Sequence, residues 1–160
     1  DNLVRLESLT IESIKNVKYG ELYLIIIKIK QGGLNNFNSV LDIYGQNGAG
    51  KTTALGTAKI LKNVLSGEKL PKDIRQYISN ESHQAKIECM FYIKSQSFEQ
   101  LITYTFIITN LKKNDIIYDI VYEKMLSKEY SHHKEKWLSK KTLFEAENNE
   151  IILKRLLNEL

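Results

Sequence analysis

Residues 45–52 read Gly45-Gln46-Asn47-Gly48-Ala49-Gly50-Lys51-Thr52, which satisfies the pattern G-x-x-x-x-G-K-[ST]. Each residue type has its own reason to be there. Glycines let the backbone turn tightly and bring successive N–H groups around an anion. A helix that starts inside the loop adds its positive N-terminal end. Lys51 supplies a mobile cation for β- and γ-phosphates, and Thr52 offers a hydroxyl to magnesium. Thr53 can hydrogen-bond on the α-phosphate side. A chance match in a chain of this length is roughly a one-in-200 event at ordinary residue frequencies, so the pattern is treated as chemistry. The expected ligands are ATP and Mg2+, with Lys51 as the catalytic residue and Thr52 as the metal ligand.

Other polar residues lack such a constellation. His83, His132 and His133 have no metal-ligand spacing around them and read as solvated loop residues. Cys89 is the single cysteine, which excludes an intrachain disulfide and a cysteine-based zinc site. It falls on the inward side of its strand, as inert packing. Gln84 and Gln96 are the glutamines available for a magnesium-sensing loop, but one opens a strand and the other lies in a loop. Lys134, Lys136, Lys140 and Lys141 surround Trp137 and form either a solvated charged face or a contact to a nucleic-acid backbone.

The elements that must position the loop follow from hydrophobic period. Leu9 and Ile11 alternate with Thr10 and Glu12, which predicts a first strand, broken over 16–20. Residues 21–30 are apolar and β-branched, a second strand. Residues 31–39 are a loop, and 40–44 a short strand entering the glycines. A helix is predicted over 52–65, with Ala54, Leu55, Ala58, Leu61 and Leu65 as its inner side and Gly67 as its stop. Residues 71–80 can hold a further helical turn. The period then changes to two over 85–94, 101–109 and 116–123, which predicts an antiparallel meander. Residues 124–141 read as a charged surface excursion. A last strand is expected over 142–147, turned at Asn148-Asn149, followed by a helix over 150–160.

The totals bound the function class. The chain has 160 residues, 42% hydrophobic and 26% charged, enough for one domain with a real core. Its net charge of +4 and pI near 9.0 permit nucleic-acid contact without requiring it. No apolar run approaches the roughly 20 residues that cross a bilayer, and the first residues do not follow the basic, apolar and small-residue order of a signal peptide. With one cysteine, a reducing cytoplasmic setting is expected.

The interior of the loop sharpens the resemblance. It fits G-x-N-G-x-G-K-[ST], which resembles the ATP-binding-cassette superfamily more than GTPases or AAA+ machines. No Asn-Lys-x-Asp occurs to read guanine. Leu9-Thr10-Ile11-Glu12-Ser13-Ile14-Lys15-Asn16 resembles L-x-I-x-N-F-[KR]-[NS], the opening of SMC-like, recombination-repair and OLD-type ATPases, with Ser13-Ile14 in place of Asn-Phe. The resemblance puts Lys15 near the nucleotide. It implies an α/β fold: a P-loop NTPase lobe of the ABC/SMC-head type, spanning 1–160, with a P-loop strand and helix plus the meander. It also implies a second ATPase head as partner, ATP hydrolysis that drives head engagement, and DNA or an effector protein as the thing moved, with no membrane insertion. DNA repair, chromosome organisation and phage defence are the settings it implies.

A complete head also needs a signature motif, an Asp-Glu at the end of a Walker B strand and a switch histidine. The dipeptide Asp-Glu does not occur. Leu65-Ser66-Gly67-Glu68-Lys69 imitates a signature but stands about four helical turns after the loop, where a helix cap is expected. Asp119 imitates a Walker B aspartate but alternates with Tyr118 and Ile120, as a solvent-facing strand residue does. The chain is therefore expected to be an N-terminal fragment, or a chain trimmed at both ends, that binds nucleotide weakly and hydrolyses it poorly. Two alternatives stay open, a transporter ATP-binding subunit and a degenerate docking module. A small-molecule kinase would need a lid and acceptor site that the sequence does not offer.

Overall fold

The computed structural model describes residues 3–14, 17–23, 49–78, 81–111, 117–148 and 150–154; the side chains of 17–23, 49–52 and 153–154 are outside that description. Eight strands and one α-helix make up the described elements. The strands are β1 Leu3–Ile14, β2 Val17–Tyr23, β3 Gln84–Lys94, β4 Glu99–Asn110, β5 Tyr118–Ser131, β6 Lys136–Trp137, β7 Lys141–Glu147 and β8 Glu150–Lys154. The helix is α1, Ala49–Leu65, followed by a single 3-10 turn at Ile74–Gln76.

All of these strands belong to one sheet, in the order β2-β1-β3-β4-β5-β7-β8, with β6 paired to β5. Every pairing is antiparallel. This overturns the expected α/β lobe: the described residues are 60% strand with one helix. The physical reason lies in the connections. Antiparallel neighbours need only short turns, and β1–β2, β3–β4 and β7–β8 have them; parallel neighbours need a crossover. The expected strand at 40–44, which the α/β reading required, lies outside the described residues.

The sheet is two-faced, as a period of two demands. One row runs Leu9, Cys89, Tyr104, Met125 and Phe144 across five strands, and the next runs Ile11, Ile87, Phe106, Glu123 and Ala146. This face carries the core: Ile14, Ile87, Cys89, Phe106 and Ile108 are fully buried, with Ile60 and Leu61 of α1 and Ile74 and Ile78 packed against them. The opposite face is mixed, with Met90, Ile107 and Leu126 among polar residues, and carries one wholly polar row. Its row runs Thr10, Glu88, Thr105, Lys124 and Glu145, in which Thr105 Oγ1 donates to Glu88 at 2.9 Å and Lys124 Nζ lies 3.5 Å from Glu145. One row away, Lys86 Nζ is 3.2 Å from Glu12. A one-sided antiparallel sheet of this kind needs only one covering layer.

Several expected boundaries move. The break at 16–20 is a tight hairpin, because Ile14 pairs with Val17 and strand β2 starts there. Residues 124–131 are no surface excursion: β5 continues to Ser131, with Lys124 on the outer face opposite Glu145. The helix expected from 150 is strand β8 over Glu150–Lys154. Asn148 turns the chain with φ 49, and hairpin geometry then prevails over the helical spacing of the leucines and isoleucines. Residues 155–160 are outside the description.

Candidate functional site

Helix α1 begins inside the glycine-rich motif. Ala49, Gly50, Lys51 and Thr52 form its first turn, while Gly45, Gln46, Asn47, Gly48 and Lys15 lie outside the described residues. No acidic residue stands in that turn, and Lys62 stands in the last. The positive end of the helix macrodipole is therefore not offset by a carboxylate of the helix's own first turn.

The inner side of α1 differs from the expected one. Leu55 and Leu65 are 65% and 50% exposed, and Ala58 is exposed too. The buried stripe is Thr53, Gly56, Thr57, Ile60 and Leu61. Small and hydroxyl-bearing residues fill its N-terminal half, so the helix backbone sits close to what it packs on. Thr57 Oγ1 donates to the Thr53 carbonyl at 2.9 Å, which satisfies that hydroxyl inside the helix. Thr53 itself is 2% exposed and faces the interior.

The chain after α1 returns along the helix. Gly56 faces Tyr77 so closely that a Cβ at Gly56 would overlap the ring at Cδ1 and Cε1. The Tyr77 hydroxyl donates to Asp73 Oδ2 at 3.0 Å, and Lys59 Nζ lies 3.0 Å from Asp73 Oδ1. The hydrogen bond from Lys59 lowers the Asp73 carboxyl below its ordinary range, and the Asp73 bond raises Lys59. One residue beyond Tyr77, Ile78 makes a bridge to Ile14 at the end of β1. The sequence signal for this bracket was an isolated glycine inside a helical pattern.

The remaining candidate residues are scattered over the fold. Residues 65–69 are a helix cap: Glu68 N–H donates to the Asn63 carbonyl and Gly67 N–H to Val64, with Gly67 at φ 70. Asp119 is an exposed residue of β5 whose carboxylate accepts from the Ile120 N–H at 2.8 Å. Gln84 and Gln96 are exposed, on β3 and in the β3–β4 turn. His83 is exposed with φ 52, and its carbonyl accepts from the Asn110 N–H. His132 stands 3.8 Å from Glu99 and edge-on to Tyr130, and His133 is exposed. Among the described residues no group of three His, Cys, Asp or Glu could hold a metal ion. Lys134, Lys136 and Lys140 are exposed, while Lys141 Nζ lies 3.9 Å from Glu129. Cys89 is fully buried, and desolvation, then the nearby Glu88 charge, pushes its thiol up to about 12.

Among the described residues no helix is long and apolar enough to cross a membrane. No protein-family model, curated protein or solved structure matches the chain.

Proposed function

We propose that residues 45–52 bind ATP with magnesium, as the phosphate-binding element of an SMC-like, ABC-type ATPase. One observation carries the reading: the pattern Gly45-x-x-x-x-Gly50-Lys51-Thr52 runs directly into α1, and Lys51 and Thr52 stand in a first helical turn free of acidic residues. In this reading, backbone N–H groups of the loop surround the phosphates. Lys51 neutralises the β- and γ-oxygens, and Thr52 gives its hydroxyl to the metal. Lys15, one residue past the β1 terminus at Ile14, is the further cation assigned to the nucleotide. Two such heads, each with ATP, would engage and drive a DNA or effector partner. This part rests on the resemblance of the loop and of residues 9–16.

The sequence has no Asp-Glu pair to hold magnesium from the far side and activate water. Binding with little turnover is therefore expected of this chain. Calorimetric titration with Mg·ATP, repeated in excess EDTA and with Lys51→Ala, tests it. The expected result is saturable binding that weakens about tenfold or more in the variant, the loss typical of a charge-assisted phosphate contact. Equal titrations for the two proteins would end the proposal.

A further inference from the structure

We propose that Tyr77 is a positioning residue for the nucleotide site, holding α1 at a fixed approach to the sheet through its interlock with Gly56. The inference rests on the reading of residues 45–52 as a phosphate site and names the part of the chain that sets its geometry.

Three observations converge. The first is the glycine. In a helix interior glycine costs about 1 kcal/mol relative to alanine. Gly56 lies in mid-helix, buried, with an ordinary helical backbone that requires no special φ. What it supplies is space, because the Tyr77 ring occupies the volume a Cβ would take. The second is the polar fastening beside it. The Tyr77 hydroxyl and Lys59 both donate to Asp73, at 3.0 Å each, so ring and helix share one carboxylate. The third is the far end of the segment. Ile78, adjacent to Tyr77, bridges to Ile14, which is fully buried at the end of β1.

Residues 73–78 thus form a bracket between two elements that the proposed site draws upon. One end grips α1 five positions after Lys51, and the other ends at Ile14, beside Lys15. A catalytic or binding loop functions when its supporting residues are locked by packing, and small misplacements cost disproportionately. Tyr77 has no part in touching phosphate in this account. It fixes the approach of the helix that carries Lys51 and Thr52 to the end of β1 at Ile14.

The test compares Mg·ATP affinity with thermal stability across a small set of variants of the whole chain. Gly56→Ala introduces the methyl that collides with the ring, and is expected to weaken Mg·ATP binding about tenfold. Tyr77→Ala removes the ring and is expected to weaken binding by a similar factor. Because the two changes compensate in volume, Gly56→Ala combined with Tyr77→Ala is expected to bind no worse than Tyr77→Ala alone. Tyr77→Phe keeps the ring against Gly56 and is expected to stay within about twofold of the unaltered chain. A purely architectural role would lower the melting temperature of Gly56→Ala and leave its affinity, measured well below that temperature, unchanged. That result overturns the proposal while the phosphate site stands. Failure of the phosphate reading looks different, since the unaltered chain and Lys51→Ala then titrate alike.

Discussion

The hydroxyl of Tyr104 donates a hydrogen bond to Glu123 across the β4–β5 ladder, on the helix-covered face of the sheet. Phe106 pairs with Glu123, so this carboxylate is the one acid in a cross-strand row otherwise made of Ile11, Ile87, Phe106 and Ala146. A carboxylate there needs a donor, and Tyr104 is that donor. Tyr104→Phe keeps the packing and strands the acceptor. It is expected to cost about 1–3 kcal/mol in urea unfolding. A loss under ~0.5 kcal/mol would mean that Glu123 finds water instead.

The same bond shapes alkaline stability. Burial, then the Glu123 hydrogen bond, raises the Tyr104 phenol; burial, then Glu145, raises Tyr122; burial, then Glu99, pushes Tyr92 up to about 12. Cys89 is pushed up to about 12 as well. In each case the unfolded chain releases its proton first, so the folded state binds more protons above the ordinary values of 9.0 for the thiol and 10.0 for the phenols. Stability is fully present below about pH 9 and declines steadily toward pH 12. Denaturant midpoints collected across that range should fall, and Tyr92→Phe should flatten part of the slope. A midpoint constant from pH 8 to 11 would contradict the account.

Cys89 offers a built-in reporter. Its thiol is buried between β1 and β4 and donates to the Tyr104 carbonyl at 3.6 Å. A thiol with so little thiolate and no access reacts only when the sheet opens. Labelling with an aromatic disulfide reagent at neutral pH should therefore proceed at the rate of global opening and accelerate with denaturant. Immediate labelling in buffer would show that β3 is not in the core.

Ser13 holds φ 58 one residue before the end of β1. Left-handed backbone costs an L-residue roughly 1–2 kcal/mol, most for β-branched side chains and least for asparagine and glycine. Ser13→Val is expected to destabilise by about 1–2 kcal/mol, while Ser13→Asn is expected to be neutral or mildly stabilising. Equal losses for the two would remove the backbone argument.

That residue also marks how far the sequence could be read. The alternation of Leu9 and Ile11 with Thr10 and Glu12 placed the strand, and nothing in it signalled the left-handed backbone at Ser13. The alternation of Ala85, Ile87 and Cys89 with Lys86 and Glu88 fixed β3 and its inward side, since a sheet with one buried face has only one register. Helix α1 was legible in place and not in rotation. Leu55 and Leu65 looked like core, but the side turned inward is the one with Gly56 and Thr57, chosen by how closely Tyr77 and the sheet approach. Spacing cannot show such closeness. β8 was missed because Leu153, Leu156, Leu157 and Leu160 carry helical spacing, while only Ile151 and Leu153 stand two apart as a strand requires, and the turn at Asn148 decides for the strand. The glycines of the loop were plain in the sequence, whereas the Asp73–Tyr77 bracket depends on a side chain 21 positions from Gly56 along the chain (77 − 56).

The pairing of β1 with β3 has a consequence for folding order. The other described ladders join strands near in sequence, but Glu12 meets Lys86 across a separation of 74 residues. Loop-closure cost rises by only about 0.6 kcal/mol per doubling of length, yet it must be met before the seam returns any contact energy. The hairpins from β3 to β8 can zip on their own, with the β1–β2 hairpin docking on them last. Everything from Tyr23 to Gln84, the glycine-rich loop and α1 included, is the loop that this seam closes. Helix α1 and the end of β1 at Ile14, which the Ile78 bridge ties to the segment after the helix, therefore reach their final places only when that seam forms. The Ile14–Ile78 bridge on that route becomes a late contact, a mark of finished molecules.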